Sequence, residues 1–233
     1  MLQAQSQGQG QGHVQRAKAR RRFNIFEYRT GEEVANAVSH GVGALAAIAA
    51  LVILVFAALA HSSGIYLFTA LVYGVTMLLE YTMSTLYHAL TAEKAKRVFK
   101  VLDHSFIYLF IAGTYTPFCL ITLADSGGLW LGAAVWALAL AGVACEAFWT
   151  FRPRWIAAAL YLLLGWCVVW FVPTLVSQLP TEALVLLVVG GALYTVGCVF
   201  YVLKKVPYMH SVFHIFVLAG SVCHFFSVVL YVL

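Results

Sequence analysis

Seven apolar stretches alternate with short polar breaks along most of this chain. Each stretch is close to the ~20 residues that an α-helix needs to cross a bilayer. The breaks collect charged residues, glycine and proline, whereas Pro117 and Pro173 fall inside stretches and should distort them. We therefore predict an all-α integral membrane protein, a seven-transmembrane helix bundle. Its spans are predicted at about 34–60, 65–90, 101–123, 129–149, 155–177, 184–203 and 208–232.

The first 22 residues differ from the rest. They are rich in glutamine and glycine, end in a basic run and lack the apolar residues of a core. We predict a disordered basic tail over 1–22 and a transmembrane domain over 23–233. Between the tail and the first span, Phe23, Phe26 and Tyr28 are expected to act as interfacial anchors.

Composition supports a membrane protein. Of the 233 residues, 63% are hydrophobic and 10% are charged, and the mean hydropathy is +0.89. A soluble domain would carry roughly a quarter charged residues. The 14 basic against 9 acidic residues could suggest nucleic acid, but no zinc-finger spacing or recognition helix accompanies them. The five cysteines all fall in apolar stretches and are predicted to be buried rather than disulfide-bonded.

The basic residues define a topology. Six of them precede the first span, and the second, fourth and sixth breaks hold four, two and two, which accounts for all 14. The first, third and fifth breaks and the C-terminus have none. By the positive-inside rule, the N-terminus is predicted to be cytoplasmic and the C-terminus to lie outside.

Five polar residues are predicted to meet near the cytoplasmic side. His210 and His214 lie one turn apart at the start of the last span, and Ser84 and His88 lie one turn apart at the end of the second. Asp103 lies in the first turn of the third span. With spans of alternating direction and ~1.5 Å of rise per residue, all five reach one layer.

Three imidazoles with one open position are a common plan for catalytic zinc. We predict His88, His210 and His214 as metal ligands. Asp103 could accept a proton from a metal-bound water or orient a ligand imidazole, and Ser84 could hydrogen-bond the water or Asp103. Because ionisable residues inside membrane helices are costly, a function is the default hypothesis for this set.

Other polar residues leave alternatives open. His40 enters the first span at a similar depth and is the main rival ligand, against a packing role. His104 and His224 are predicted to make structural hydrogen bonds. Glu80 and Glu146 either line a polar cavity or pair with each other.

In combination, these motifs resemble the bacterial hemolysin III family, the prokaryotic branch of the progestin and adipoQ receptors, which share a superfamily with the alkaline ceramidases. The resemblance covers about 24–233. It rests on the segments Asn36–Gly41, Ser84–His88, Leu102–Ser105, Ala112–Pro117 and His210–His214.

The resemblance implies a zinc site. It implies that His88, His210 and His214 bind Zn²⁺, with Ser84 and Asp103 as partners on the water side. It also implies hydrolysis of ceramide-like lipid amides.

The sequence therefore carries three functional hypotheses for a multi-pass protein of the bacterial cytoplasmic (inner) membrane, with membrane lipids as partners. The leading one is a zinc-dependent hydrolase of a lipid amide or ester. The second is a non-catalytic membrane sensor or homeostasis protein with structural zinc. The third, a pore-forming haemolysin, fits poorly because a multispanning chain has no evident route to a target cell.

Overall fold

Seven helices make up the fold in the computed structural model, which describes residues 27–203 and 205–233. All seven are long and apolar enough to cross a membrane, which confirms the predicted helix count. The tail 1–22, Phe23, Phe26 and Lys204 lie outside the described residues. The helices are α1 Thr30–Leu59, α2 Gly64–Ala89, α3 Glu93–Pro117, α4 Gly128–Trp149, α5 Arg154–Gln178, whose first regular part is Arg154–Gly165, α6 Thr181–Val202 and α7 Met209–Tyr231.

Two helices begin earlier than predicted. α3 starts at Glu93 rather than near 101, and α1 starts at Thr30 rather than near 34. Hydropathy marks the apolar part of a helix, whereas Glu, Lys, Arg and Ala at 93–97 are good helix formers that extend it into the polar region. The ion pair between Arg97 and Glu93, four residues apart at 2.6 Å, supports this added turn.

Both prolines coincide with irregular helix, as predicted. Pro117 ends the regular part of α3, and a π-helical turn follows over Phe118–Thr122. Beyond Gly165, α5 passes through a 3₁₀ segment and resumes as Val172–Gln178, with Pro173 in its first turn. A proline fits there because the missing N–H has no intrahelical partner at that position.

α3 is the central helix of the bundle. Within its most apolar stretch 61% of residues are buried, against 22–39% in the other six helices. α3 contacts α2, α4 and α5, while α1 packs against both α2 and α7, so that the last helix returns to the first. This arrangement brings α1, α2, α3 and α7 together around one interior region.

The helices that carry the predicted site pack closely against one another at glycine residues. A side chain at Gly43 of α1 would clash with Tyr81 of α2 and Leu218 of α7, and one at Gly113 of α3 would clash with Thr76 of α2. Glycine at these points therefore lets the backbones approach.

The entry to α7 is also anchored. Tyr208 adopts a left-handed conformation (φ 62°) immediately before the helix, and its N–H donates to Glu32 Oε1 at 2.9 Å. This bond ties the turn that carries His210 to the start of α1.

Candidate metal centre

His88, His210 and His214 come together as the sequence predicts. All three are buried, and one donor nitrogen of each lies within 4.8 Å of the other two. His210 and His214 face the same way one turn apart, and their Nε2 atoms are 3.2 Å apart. Two imidazoles on a tetrahedral zinc ion at about 2.0–2.1 Å would place their nitrogens roughly 3.3–3.4 Å apart. The three histidines could therefore hold a metal ion.

Two of these rings are oriented through their second nitrogen. Glu33 Oε2 lies 2.7 Å from His88 Nδ1, and Ser39 Oγ lies 2.9 Å from His214 Nδ1. Because a carboxylate only accepts hydrogen bonds, His88 carries its proton on Nδ1 and leaves Nε2 as an acceptor. That Nε2 is buried and has no hydrogen-bond partner within 27–203 and 205–233. A buried acceptor without a partner, supported by a carboxylate on the far nitrogen, fits a metal ligand.

The supporting residues come from α1, and sequence reasoning missed Glu33 and Ser39. Glu33 also pairs with Lys96 at 2.9 Å. Asn36 lies 3.4 Å from His88 Nδ1 through its amide nitrogen, and its Oδ1 accepts from Ser211 at 2.6 Å. The available signal was the spacing of Glu33, Asn36 and His40, which places polar residues at intervals of three and four along one face of an otherwise apolar helix.

His40, the rival ligand, is placed for packing. Its ring stacks on His214 with centroids 3.5 Å apart and an interplanar angle of 14°, and it meets the ring of Tyr81 edge-on at 5.1 Å. In two stacked parallel rings the nitrogen lone pairs lie in parallel planes and do not converge on one point, so His40 and His214 are not oriented to bind the same ion. His40 is accordingly not a member of the group whose donors surround one position.

Ser84 and Asp103 lie next to each other. Both are buried, at 1% and 5% exposure, and the Ser84 hydroxyl is beside the Asp103 carboxyl. Neither belongs to the three-histidine group. The fold thus places this pair on α2 and α3, with Ser84 one turn before His88.

Glu146 pairs with Arg152 and not with Glu80. Arg152 Nη2 donates to Glu146 Oε1 and, at 3.0 Å, to the Tyr108 hydroxyl. His104 Nδ1 lies 3.5 Å from Glu146 Oε2, so His104 is part of this polar cluster. Glu80 instead lines an interior cavity.

An apolar cavity of about 290 Å³ lies between α3, α5, α6 and α7. It extends from His40 and Glu80 at one end to His224 at the other. His224 Nε2 is 3.2 Å from the Leu187 carbonyl oxygen, which is the interhelical bond predicted from the sequence.

A polar cavity of about 390 Å³ lies at the end of the bundle that carries Lys96, Lys100, Arg152 and Arg154, here called the basic end. This cavity reaches His210. The three histidines therefore lie where an apolar cavity and a polar cavity approach each other.

The segment before α1 closes over the histidines. The ring of Tyr28 stacks on His210 with centroids 4.9 Å apart, and its hydroxyl accepts a hydrogen bond of 2.5 Å from Arg154 Nη2. Burial raises the pKa of Tyr28 well above its ordinary range, and the Arg154 guanidinium only partly opposes this. Tyr28 was expected to anchor at the membrane interface; it turns inward because His210 and Arg154 offer it ring and hydrogen-bond contacts.

The sequence is similar to known bacterial proteins over most of its length. The family described as "Haemolysin-III related" matches residues 28–225. Hemolysin-3 of Bacillus cereus is 43% identical over 202 residues, which cover 87% of this chain and 92% of that protein. A hemolysin-3 homolog of Bacillus subtilis (strain 168) is 42% identical over 200 residues, covering 86% and 94%.

A more distant human relative is the monocyte to macrophage differentiation factor. It is 27% identical over 173 residues, which cover 69% of this chain and 68% of that protein. Seven apolar helices and bacterial relatives indicate a multi-pass integral membrane protein, consistent with the bacterial inner membrane. From the extent of the family match and the identity to the Bacillus proteins, the chain belongs to the haemolysin III family.

Proposed function

We propose that this protein is a zinc-dependent hydrolase of a lipid amide or ester, ceramidase-like in its reaction, with its site near the cytoplasmic side. The observation that carries the proposal is the group of three buried imidazoles, His88, His210 and His214. Their donors face one another, and Glu33 and Ser39 hold the outer nitrogens of two of them.

The donor set suits zinc, although three imidazoles also accept other transition metals. The family resemblance favours zinc among them. When bound, such an ion lowers the pKa of a coordinated water to about 7 and polarises a carbonyl group.

The neighbouring residues supply the proton chemistry. We assign Asp103 as the general base, because its carboxyl is buried on α3 beside Ser84, which lies one turn before His88 on α2. Ser84, beside Asp103, would orient the attacking water so that the carboxylate could accept its proton. A general base must lie within hydrogen-bond reach of the proton that it removes, either directly or through one water.

The two cavities fit a lipid substrate. The apolar cavity has the lining that an acyl chain requires, and it begins at His40, which stacks on His214. The polar cavity reaches the same group of histidines at His210. A lipid with its chain in the first and its headgroup towards the second would have its amide or ester bond beside the three histidines.

Elemental analysis of the detergent-purified protein tests the metal. We expect about one zinc per chain in the wild type and its loss in both His88→Ala and His210→Ala. His224→Ala is the matched control, because it removes a half-buried histidine that lies ten residues, roughly 15 Å, beyond His214 on α7. Metal-free, correctly folded wild type, or full zinc in both ligand variants, refutes the metal site.

Turnover of lipid amides by Asp103→Asn separates an enzyme from a protein with structural zinc. The variant should keep its zinc and lose at least a hundredfold in rate, because general acid–base groups contribute about 10²–10⁴-fold. Unchanged zinc with no product from the wild type at any substrate concentration would favour the sensor hypothesis.

A further inference from the structure

The polar cavity at the basic end has the composition of an anion site. Three cationic side chains line it, Lys100, Arg152 and Arg154, and Glu27 is the acid that lines it among the described residues. Glu146 pairs with Arg152 without lining the cavity, so the balance remains positive when it is counted. At about 390 Å³ the cavity falls within the 300–1,000 Å³ typical of ligand pockets.

Arg152 has donors to spare in this cavity. It is only 6% exposed, and its Nη2 is taken by Glu146 and Tyr108. Its Nε and Nη1 are buried and have no hydrogen-bond partner among the described residues. Unpaired buried donors on a charged group are costly, so an acceptor that reached them beside this cavity would stabilise the guanidinium.

Arg152 also stays charged. Burial by itself lowers the pKa of Arg152, but the adjacent Glu146 carboxylate more than compensates, and the pKa lies above its ordinary range. The guanidinium on this wall therefore stays cationic, with Glu146 as its counter-charge.

Glu27 shows where an anion sits. Its carboxylate bridges two helices by pairing with Lys100 on α3 and, through Oε2 at 3.0 Å, with Arg154 on α5. One oxyanion of the chain thus already occupies the point where these two cations converge. A guanidinium and an ammonium together offer more donors than one carboxylate can use, and the several oxygens of a phosphate group match them better.

We propose that this cavity binds a phosphate group through Lys100, Arg152 and Arg154, with Glu27 as an internal competitor for the same position. The cavity also contains His210, so a lipid with its phosphate here would extend towards the three histidines. This inference deepens the proposed function, and it rests on that function for identifying the bound molecule as the substrate.

The direction of each mutational effect distinguishes phosphate binding from a purely structural clamp. Removing a cation from the cavity weakens phosphate binding whether Glu27 occupies the phosphate position or only clamps the helices. Glu27→Gln removes the competing carboxylate and strengthens binding if Glu27 occupies the phosphate position. If Glu27 is only a clamp for α3 and α5, the same change loosens the cavity and weakens binding.

The experiment titrates detergent-purified full-length protein with phosphatidylglycerol and counts bound lipid by native mass spectrometry. Diacylglycerol serves as the phosphate-free lipid. The variants are Lys100→Gln, Glu27→Gln and the double variant Glu146→Gln/Arg152→Gln, which removes both members of a buried pair and leaves no uncompensated charge. Lys94→Gln is the control, because it deletes an exposed positive charge near the start of the same helix.

We expect phosphatidylglycerol affinity to fall at least tenfold in Lys100→Gln and in the double variant, to rise severalfold in Glu27→Gln and to stay unchanged in Lys94→Gln. Diacylglycerol binding should be the same in all of them. Equal phosphatidylglycerol affinity across the set, or a fall in Glu27→Gln, overturns the proposal.

A second arm separates the source of the phosphate. If inorganic phosphate raises the melting temperature and displaces phosphatidylglycerol, the cavity takes soluble phosphate; if only the lipid binds, it takes a headgroup. If neither inorganic phosphate nor the lipid binds, the proposal is overturned.

The lipid-binding measurement needs no turnover, so it tests this inference separately from the hydrolase. Loss of phosphate recognition with zinc and hydrolysis intact refutes this inference alone. Phosphate recognition without zinc refutes the hydrolase alone.

Discussion

Two glutamates, Glu33, which is half-buried, and Glu146, which is buried, show that the partner of an acid decides its role in this bundle. Glu33 on α1 meets His88 and Lys96, whereas Glu146 on α4 meets Arg152. Lysine and arginine neutralise both acids. The bond to Glu33 leaves the second nitrogen of His88 facing the interior. Glu33 therefore orients a predicted ligand, whereas Glu146, although His104 lies 3.5 Å from it, is held by the Arg152 guanidinium, which also bonds Tyr108 on α3.

The largest effect is expected from Glu146→Ala. It leaves the Arg152 guanidinium buried without its carboxylate, and breaking a buried pair in this way costs about 3–5 kcal/mol. The melting temperature should fall sharply. It is measured as the temperature at which the monodisperse peak is lost when the protein is heated in detergent. Glu146→Gln/Arg152→Gln should recover much of that loss. Equal stability of Glu146→Ala and the wild type would contradict the structural role.

Glu33→Gln should change metal binding more than folding. Replacing the carboxylate that holds His88 Nδ1 is expected to lower zinc affinity about 10–100-fold. Competition with a chelator of known zinc affinity measures the change. Glu93→Gln, which removes an exposed acid at the same end of the bundle, is the control. If both variants bind zinc like the wild type, Glu33 does not support the ligand.

Ser39→Ala is predicted to act in the same direction but more weakly. It removes a neutral hydrogen bond to His214 Nδ1, typically about 0.5–1.5 kcal/mol, which corresponds to a roughly two- to tenfold loss of zinc affinity. The same chelator competition applies, with Ser177→Ala as the control for loss of an exposed hydroxyl. A loss larger than that of Glu33→Gln would reverse the assigned order of the two supports.

His40→Phe should leave the zinc content unchanged. Phenylalanine keeps a flat ring against His214, and the His40 nitrogens have no hydrogen-bond partner to lose. His40→Ala, which removes the ring, should lower the melting temperature by leaving a cavity. Loss of zinc in His40→Phe would make His40 a ligand after all.

The membrane fold and the group of three histidines were accessible from the sequence because both depend on local spacing. About 20 apolar residues make a span whatever surrounds them, and residues four apart on a helix share a face. Alternating helix directions then place His88 beside His210 and His214 at one end of the bundle. Helix ends were predicted less well, as the early start of α3 at Glu93 illustrates, because polar helix formers carry no hydropathy signal.

The tertiary structure decided what lies around those three histidines. Glu33 and Ser39 reach them, and His40 stacks on them, because of how α1 is rotated against α2 and α7. That rotation follows from packing between helices distant in sequence, including the close approach at Gly43. The two cavities have the same origin, since each is the space left between helices. The sequence thus determined which residues share a layer, and only packing determined which atoms face one another within it.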